Sequence, residues 1–277
     1  MKYQLPFTAA KRISWVAIIA ALALAALPAF SQDWAKALLN KSPRHQEWVK
    51  ITRGSRTIDA FIVYPEVSRK APVVLLVHEI FGLSDWARSM ADDIAAMGYI
   101  VIAPDLLSGF GPNGGNTSAF ADQQAVIKAV SGLDPGTVNA DLNAAADYAL
   151  KLPAADGKLA VIGFCWGGGK SFLFATQRHN LNAAFVFYGP PPPTAALAGI
   201  TAPVYGFYGG NDARISATVP DTKAAMAAAG KKYDPVIYEG AGHGFMRAGE
   251  DPDNTNPANT TARREALKRL ETLLKGI

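Results

Sequence analysis

The chain has 277 residues, 49% of them apolar and 18% charged, with 27 Lys and Arg against 23 Asp and Glu and a single cysteine. These figures exclude a disordered or collagen-like chain. They also exclude an intrachain disulfide framework and any multi-cysteine zinc or iron–sulfur centre.

Lys2, Lys11 and Arg12 stand before or at the start of an almost wholly apolar, Ala- and Leu-rich run over residues 13–27. Pro28 ends the run, and Ala29 and Ser31 supply small residues before a cut ahead of Gln32. Residues 1–31 therefore read as a secretory signal peptide, too short in its apolar part for the ~20 residues of a bilayer span. They hold three of the basic residues and no acidic one, so the rest of the chain is close to neutral. No block of five or six basic residues remains, and neither a nucleic-acid partner nor a membrane attachment after cleavage is expected. The expected location is periplasmic or secreted, where the lone cysteine is a free thiol in an oxidising compartment.

Residues 32–46 form a lead-in, helical or irregular. Segments 47–52 and 57–64 are β-type runs around Arg53-Gly54-Ser55 and predict a hairpin. The continuous apolar run at 72–77 predicts a strand buried on both faces. A helix is expected over 85–97, a strand over 99–103, a glycine-rich loop over 109–116, and helices over 119–130 and 137–151. The strand at 158–164 leads into a helix at 167–177. Strands at 183–188, 204–208 and 233–238 follow, with a helix at 219–229 and an amphipathic final helix at 260–274. The Pro-rich patch at 190–193 and the polar stretch at 250–261 read as loops. This alternation predicts one α/β domain over 47–277, a mostly parallel central sheet with helices on both faces.

One strand–turn–helix segment carries a chemical signal, Gly163-Phe164-Cys165-Trp166-Gly167-Gly168-Gly169. A reactive side chain on so tight a turn needs small residues two before and two after it, where strand and helix approach closely. The helix behind it presents unpaired N–H groups and a positive dipole end, which favour a thiolate and a developing oxyanion. The Trp166 N–H is one expected oxyanion donor. The competing reading of Cys165 is a buried structural thiol, common for free cysteines.

A nucleophile on this turn needs an acid and a histidine, in that chain order. Asp212 follows the strand at 204–208 and His243 follows the strand at 233–238, both at carboxyl strand ends. His243 is expected to pair with Cys165 while Asp212 fixes its tautomer. Among the other histidines, His45 precedes the first strand and His179 follows a helix on the far side of the sheet. His78 ends the strand at 72–77 and could line the cleft, but no acid stands in the right chain position for it. After that strand comes His78-Glu79-Ile80-Phe81-Gly82, and the second oxyanion N–H is assigned to Ile80. Glu79 is a puzzle, because a carboxylate beside a thiol opposes thiolate formation.

The segments His-Glu-Ile-Phe-Gly, Gly-Phe-Cys-Trp-Gly-Gly, Gly-Gly-Asn-Asp and Ala-Gly-His-Gly-Phe together resemble the dienelactone hydrolase family, within the α/β-hydrolase fold. The resemblance spans most of residues 47–275. It implies that Cys165, Asp212 and His243 form a triad and that Glu79 contacts the resting thiol until substrate binds. Suppressing the thiolate in this way would also limit oxidation. The resemblance further implies that Arg247 binds a substrate carboxylate and that Tyr188 and Phe81 line the substrate pocket. One departure stands out. Lactone-cleaving members carry another arginine after the Pro-Asp-Leu segment, yet no arginine occurs here between Arg88 and Arg178. The pocket beside residues 106–116 is therefore expected to be roomier or less charged.

The expected activity is hydrolysis of a small ester or lactone through a thioester acyl-enzyme, by a monomer. An esterase or thioesterase of different substrate class, and a non-catalytic binding protein, are the alternatives. No metal or organic cofactor is expected, and Lys170 after the three glycines lacks the spacing of a phosphate loop.

Overall fold

Seven consecutive apolar residues, Ala71–Val77, have no polar face, and such a strand is stable only with both faces covered. In the computed structural model, which describes Met1 and residues 32–277, all seven are buried inside an eight-stranded sheet. The expected signal peptide, Met1 apart, lies outside the described residues.

In chain order the elements begin with α1 (Asp33–Lys41), β1 (Gln46–Arg53), β2 (Arg56–Val63), β3 (Ala71–Val77), α2 (Asp85–Ala96) and β4 (Ile100–Pro104). There follow α3 (Gln123–Ser131), α4 (Pro135–Leu150), β5 (Ala155–Phe164), α5 (Trp166–Ala175), β6 (Ala183–Phe187) and β7 (Val204–Gly209). The last are α6 (Ala213–Ser216), α7 (Val219–Ala228), β8 (Tyr233–Tyr238), α8 (Phe245–Ala248) and α9 (Pro257–Leu274). The strands lie in the order β1-β2-β4-β3-β5-β6-β7-β8. β2 runs antiparallel to β1 and β4, and the other neighbours are parallel. Side chains from α1, α2 and α9 build the core on one face, and those from α4, α5 and α7 build it on the other. This is the α/β architecture that the alternating pattern predicts.

Local chemistry explains where boundaries differ from expectation. The helix expected from 119 starts at Gln123, because Asp122 caps it by accepting the Ala125 N–H and residues 117–119 form a separate turn. The last helix begins at Pro257 inside the stretch expected to be a loop. Asn256 caps it, and proline at the first helical position sacrifices no hydrogen bond. α6 and α8, four residues each, fall in segments to which the sequence pattern assigns no element. A single turn is too short to display an apolar period. Among the described residues no helix is long and apolar enough to cross a membrane.

Parallel strands place their carboxyl ends on one edge of the sheet. The loops after β3, β5, β6, β7 and β8 therefore converge there.

Candidate active site

Cys165 stands between β5 and α5 with φ of 56° and ψ of −118°, a left-handed conformation that costs an L-residue roughly 1–3 kcal/mol. Its neighbours over-determine it. A Cβ on Gly163 would run into the Gly167 carbonyl, and one on Gly167 into the Val77 and His78 carbonyls. A Cβ on Gly168 would strike the Phe187 carbonyl. These glycines let the start of α5 press against the ends of β3 and β6, which leaves the cysteine on an outward turn. Cys165 is only partly buried, whereas the structural-thiol reading expects a buried one.

Asp212 follows β7 and is 7% exposed. Its Oδ2 accepts a hydrogen bond from His243 Nδ1 at 2.5 Å, and His243 Nε2 lies 3.1 Å from Cys165 Sγ. The histidine loop is fastened from outside the expected motif. Asn259 Oδ1 accepts from the Gly242 N–H at 2.9 Å, Asn256 Nδ2 donates to the Gly240 carbonyl, and Asn211 N–H donates to the Ala241 carbonyl. Gly244 then takes φ of 73° to begin α8. The Tyr188 ring meets the His243 ring edge-on, with centroids 5.2 Å apart. Burial alone would lower the His243 pKa, but the bonds to Cys165 and Asp212 outweigh it and push it up to about 9.

The other histidines lie elsewhere. His45 and His179 are exposed. His78 is fully buried and stacks on the Trp166 indole, with centroids 5.7 Å apart and planes 12° apart. Asp105 exerts a Coulombic pull on it.

Glu79 departs from the contact that the resemblance implies. Its Oε2 accepts a hydrogen bond from Arg247 Nε at 2.9 Å, while the Cys165 sulfur pairs with His243. A carboxylate only 2% exposed needs a full counter-charge, and a guanidinium supplies one where a thiol cannot. Burial still pushes the Glu79 carboxyl above its usual range, with Arg247 opposing. Arg247 also sits over the Phe81 ring, 4.9 Å from its centroid. Tyr188 is fully buried, and its hydroxyl makes no hydrogen bond of normal geometry among the described residues, although it lies close enough to help hold the Glu79 carboxyl down.

The backbone N–H groups of Ile80 and Trp166 likewise have no hydrogen-bond partner among the described residues. Beside them, Leu107, Val126 and Val130 form a small apolar cluster that Ile80, Phe120 and Trp166 join. Of these, Leu107 lies in the segment where the missing arginine would be expected. No group of three or more His, Cys, Asp or Glu among the described residues is placed to hold a metal ion.

The mostly parallel sheet, its flanking helices and the positive-φ turn after β5 define this molecule as an α/β-hydrolase. The sequence profile of the dienelactone hydrolase family matches residues 58–277. The chain therefore belongs to the dienelactone hydrolase family, and with it to the hydrolases of ester and lactone bonds. A candidate carboxymethylenebutenolidase of Methylorubrum extorquens is 35% identical over 210 residues, 71% of each chain. A protein of the same description from Salmonella typhimurium is 34% identical, over 67% of this chain and 72% of its own. A crystal structure of a candidate dienelactone hydrolase from Klebsiella pneumoniae superposes with a TM-score of 0.69 at 28% identity. It covers 81% of this chain and 97% of its own.

Proposed function

We propose that this chain hydrolyses a small ester or lactone through a thioester on Cys165. The observation that carries the reading is the unbroken line Asp212–His243–Cys165, with spacings of 2.5 Å and 3.1 Å, ending on the strained turn. His243, with its pKa pushed up to about 9, holds a proton at neutral pH beside the sulfur. The thiolate attacks the carbonyl carbon, and the carbonyl π electrons move onto oxygen. That oxyanion accepts hydrogen bonds from the Ile80 and Trp166 N–H groups. Collapse expels the alkoxide, which takes the proton from His243 Nε2, and leaves the acyl group on sulfur. Neutral His243 then removes a proton from water as it attacks the thioester. The second oxyanion collapses to a carboxylic acid and returns the sulfur to its pair with His243. Asp212 holds Nδ1–H throughout, which keeps Nε2 aimed at the sulfur.

Arg247 is the cation we assign to a substrate carboxylate, with Tyr188 and Phe81 beside it. A second reading, an esterase for less charged substrates, is favoured by the apolar Leu107, Phe120 and Ile80 surroundings. A panel of p-nitrophenyl esters, lactones and acyl-thioesters, with and without a carboxylate, separates the two. An acyl mass adduct on Cys165, lost in Cys165→Ala, is the expected result. Absence of adduct and of turnover across the panel overturns the hydrolytic mechanism.

A further inference from the structure

The Glu79 carbonyl and the Ile80 N–H belong to the same planar peptide and point in opposite directions. Whatever holds that carbonyl therefore aims that N–H. The His78 Nδ1 lies 2.7 Å from the Glu79 carbonyl oxygen, which the Gly82 N–H also approaches at 3.2 Å. A carbonyl oxygen only accepts, so Nδ1 must carry the hydrogen and donate it. The opposite ring nitrogen, Nε2, is buried and has no hydrogen-bond partner among the described residues. A hydrogen there would be an orphaned buried donor, so the arrangement selects the neutral Nδ1–H tautomer. Burial disfavours the charged ring in the same sense, with Asp105 pulling the other way.

The same imidazole stacks on Trp166, whose own backbone N–H is the second donor of the proposed oxyanion pair. It cannot shift to relax the bond, because it is fully buried. Its backbone carbonyl is pressed against Gly167 at the start of α5. Farther along the loop, the Thr117 hydroxyl accepts from the Leu83 N–H at 3.2 Å and donates to Asp105 Oδ1 at 2.7 Å. The 78–83 turn is thus braced at both ends.

We propose that His78 is a positioning residue which, as the Nδ1–H tautomer, locks the Glu79–Ile80 peptide so that the Ile80 N–H faces the oxyanion. This rests on the hydrolytic reading above. His78→Asn places an amide N–H where Nδ1–H stood, whereas His78→Leu fills the space without a donor. With an activated ester, His78→Leu is expected to lower kcat by about 10²–10³-fold, the usual effect of losing one oxyanion donor. KM stays within about threefold, because the interaction forms only in the transition state. His78→Asn recovers kcat to within about tenfold of the parent, and the rate of Cys165 alkylation by iodoacetamide stays unchanged in both variants. Equal losses in the two variants, or an alkylation rate that falls with kcat, overturn the proposal. Nitrogen NMR of the His78 ring in the unaltered protein is the second measurement. A protonated Nδ1 and bare Nε2 support the proposal, and the reverse tautomer overturns it. Parent turnover combined with an undiminished His78→Leu kcat refutes this inference alone. Absence of any parent turnover or acyl adduct refutes the hydrolytic reading and takes this inference with it.

Discussion

Arg247 Nε donates to Glu79 Oε2 at 2.9 Å, and this ion pair joins the loop after β3 to the helix that follows His243. The resting sulfur is left to the histidine. A substrate carboxylate that engages Arg247 would therefore compete with Glu79 for the guanidinium, and the buried glutamate would feel substrate through the arginine.

Removing the arginine tests how much the pair matters. Arg247→Met leaves a carboxylate 2% exposed without its cation, at an expected cost of about 3–5 kcal/mol. The folded-state pKa of Glu79 is already raised by burial, so the native state binds this proton more tightly than the unfolded chain. Stability must then fall as pH rises above the ordinary carboxylate value, and more steeply in the variant. Urea denaturation across that range measures it, and the double variant with Glu79→Gln recovers much of the loss.

His243 gives a pH dependence of the same sign at higher pH. Its folded pKa, about 9, lies above the ordinary 6.5, so its contribution is complete below the unfolded value. That contribution disappears as pH rises through about 9. The same window sets the alkaline limb of kcat/KM, which belongs to the cysteine–histidine pair as a unit. Asp212→Asn removes one of the bonds that raise the pKa, moves the limb to lower pH and lowers kcat by about 10²-fold or more. A pH–rate profile of both proteins checks the direction.

Gly167→Ala tests the turn. Its Cβ would overlap the Val77 and His78 carbonyls, both backbone atoms with nowhere to go. The end of β3 must shift and carry the Ile80 peptide with it. The expected outcome is a loss of about 10²-fold in kcat/KM. Stability falls by roughly 1–3 kcal/mol, as overpacking usually costs. Steady-state kinetics and thermal melts read the two effects separately.

Tyr188→Phe separates binding from folding. The hydroxyl makes no hydrogen bond of normal geometry among the described residues, only a looser approach to Glu79, so its removal is expected to change stability by no more than about 1 kcal/mol. If substrate is the missing partner, KM rises several-fold with little change in kcat. A fall in Tm with KM unaltered would assign the hydroxyl a purely structural role.

The chemistry-bearing residue types and the strand ends that hold them were legible in the chain alone. The Gly-x-Cys-x-Gly spacing, the apolar run at Ala71–Val77 and the placing of Asp212 and His243 just past strand-forming runs are properties of short segments. Backbone sterics and apolar periodicity act within such segments, so spacing reveals them. The cap at Asn256 was missed: Asn followed by Pro is a helix-start signal, but the polarity of the surrounding stretch read as a loop. The tertiary structure alone decided which partner each buried polar group takes. Arg247 and Glu79 are 168 residues apart, Gly242 and Asn259 are 17 apart, and the His78 tautomer depends on an ångström-scale fit to a carbonyl. Coulombic and hydrogen-bond energies depend on distance, angle and burial, and chain separation carries none of that information.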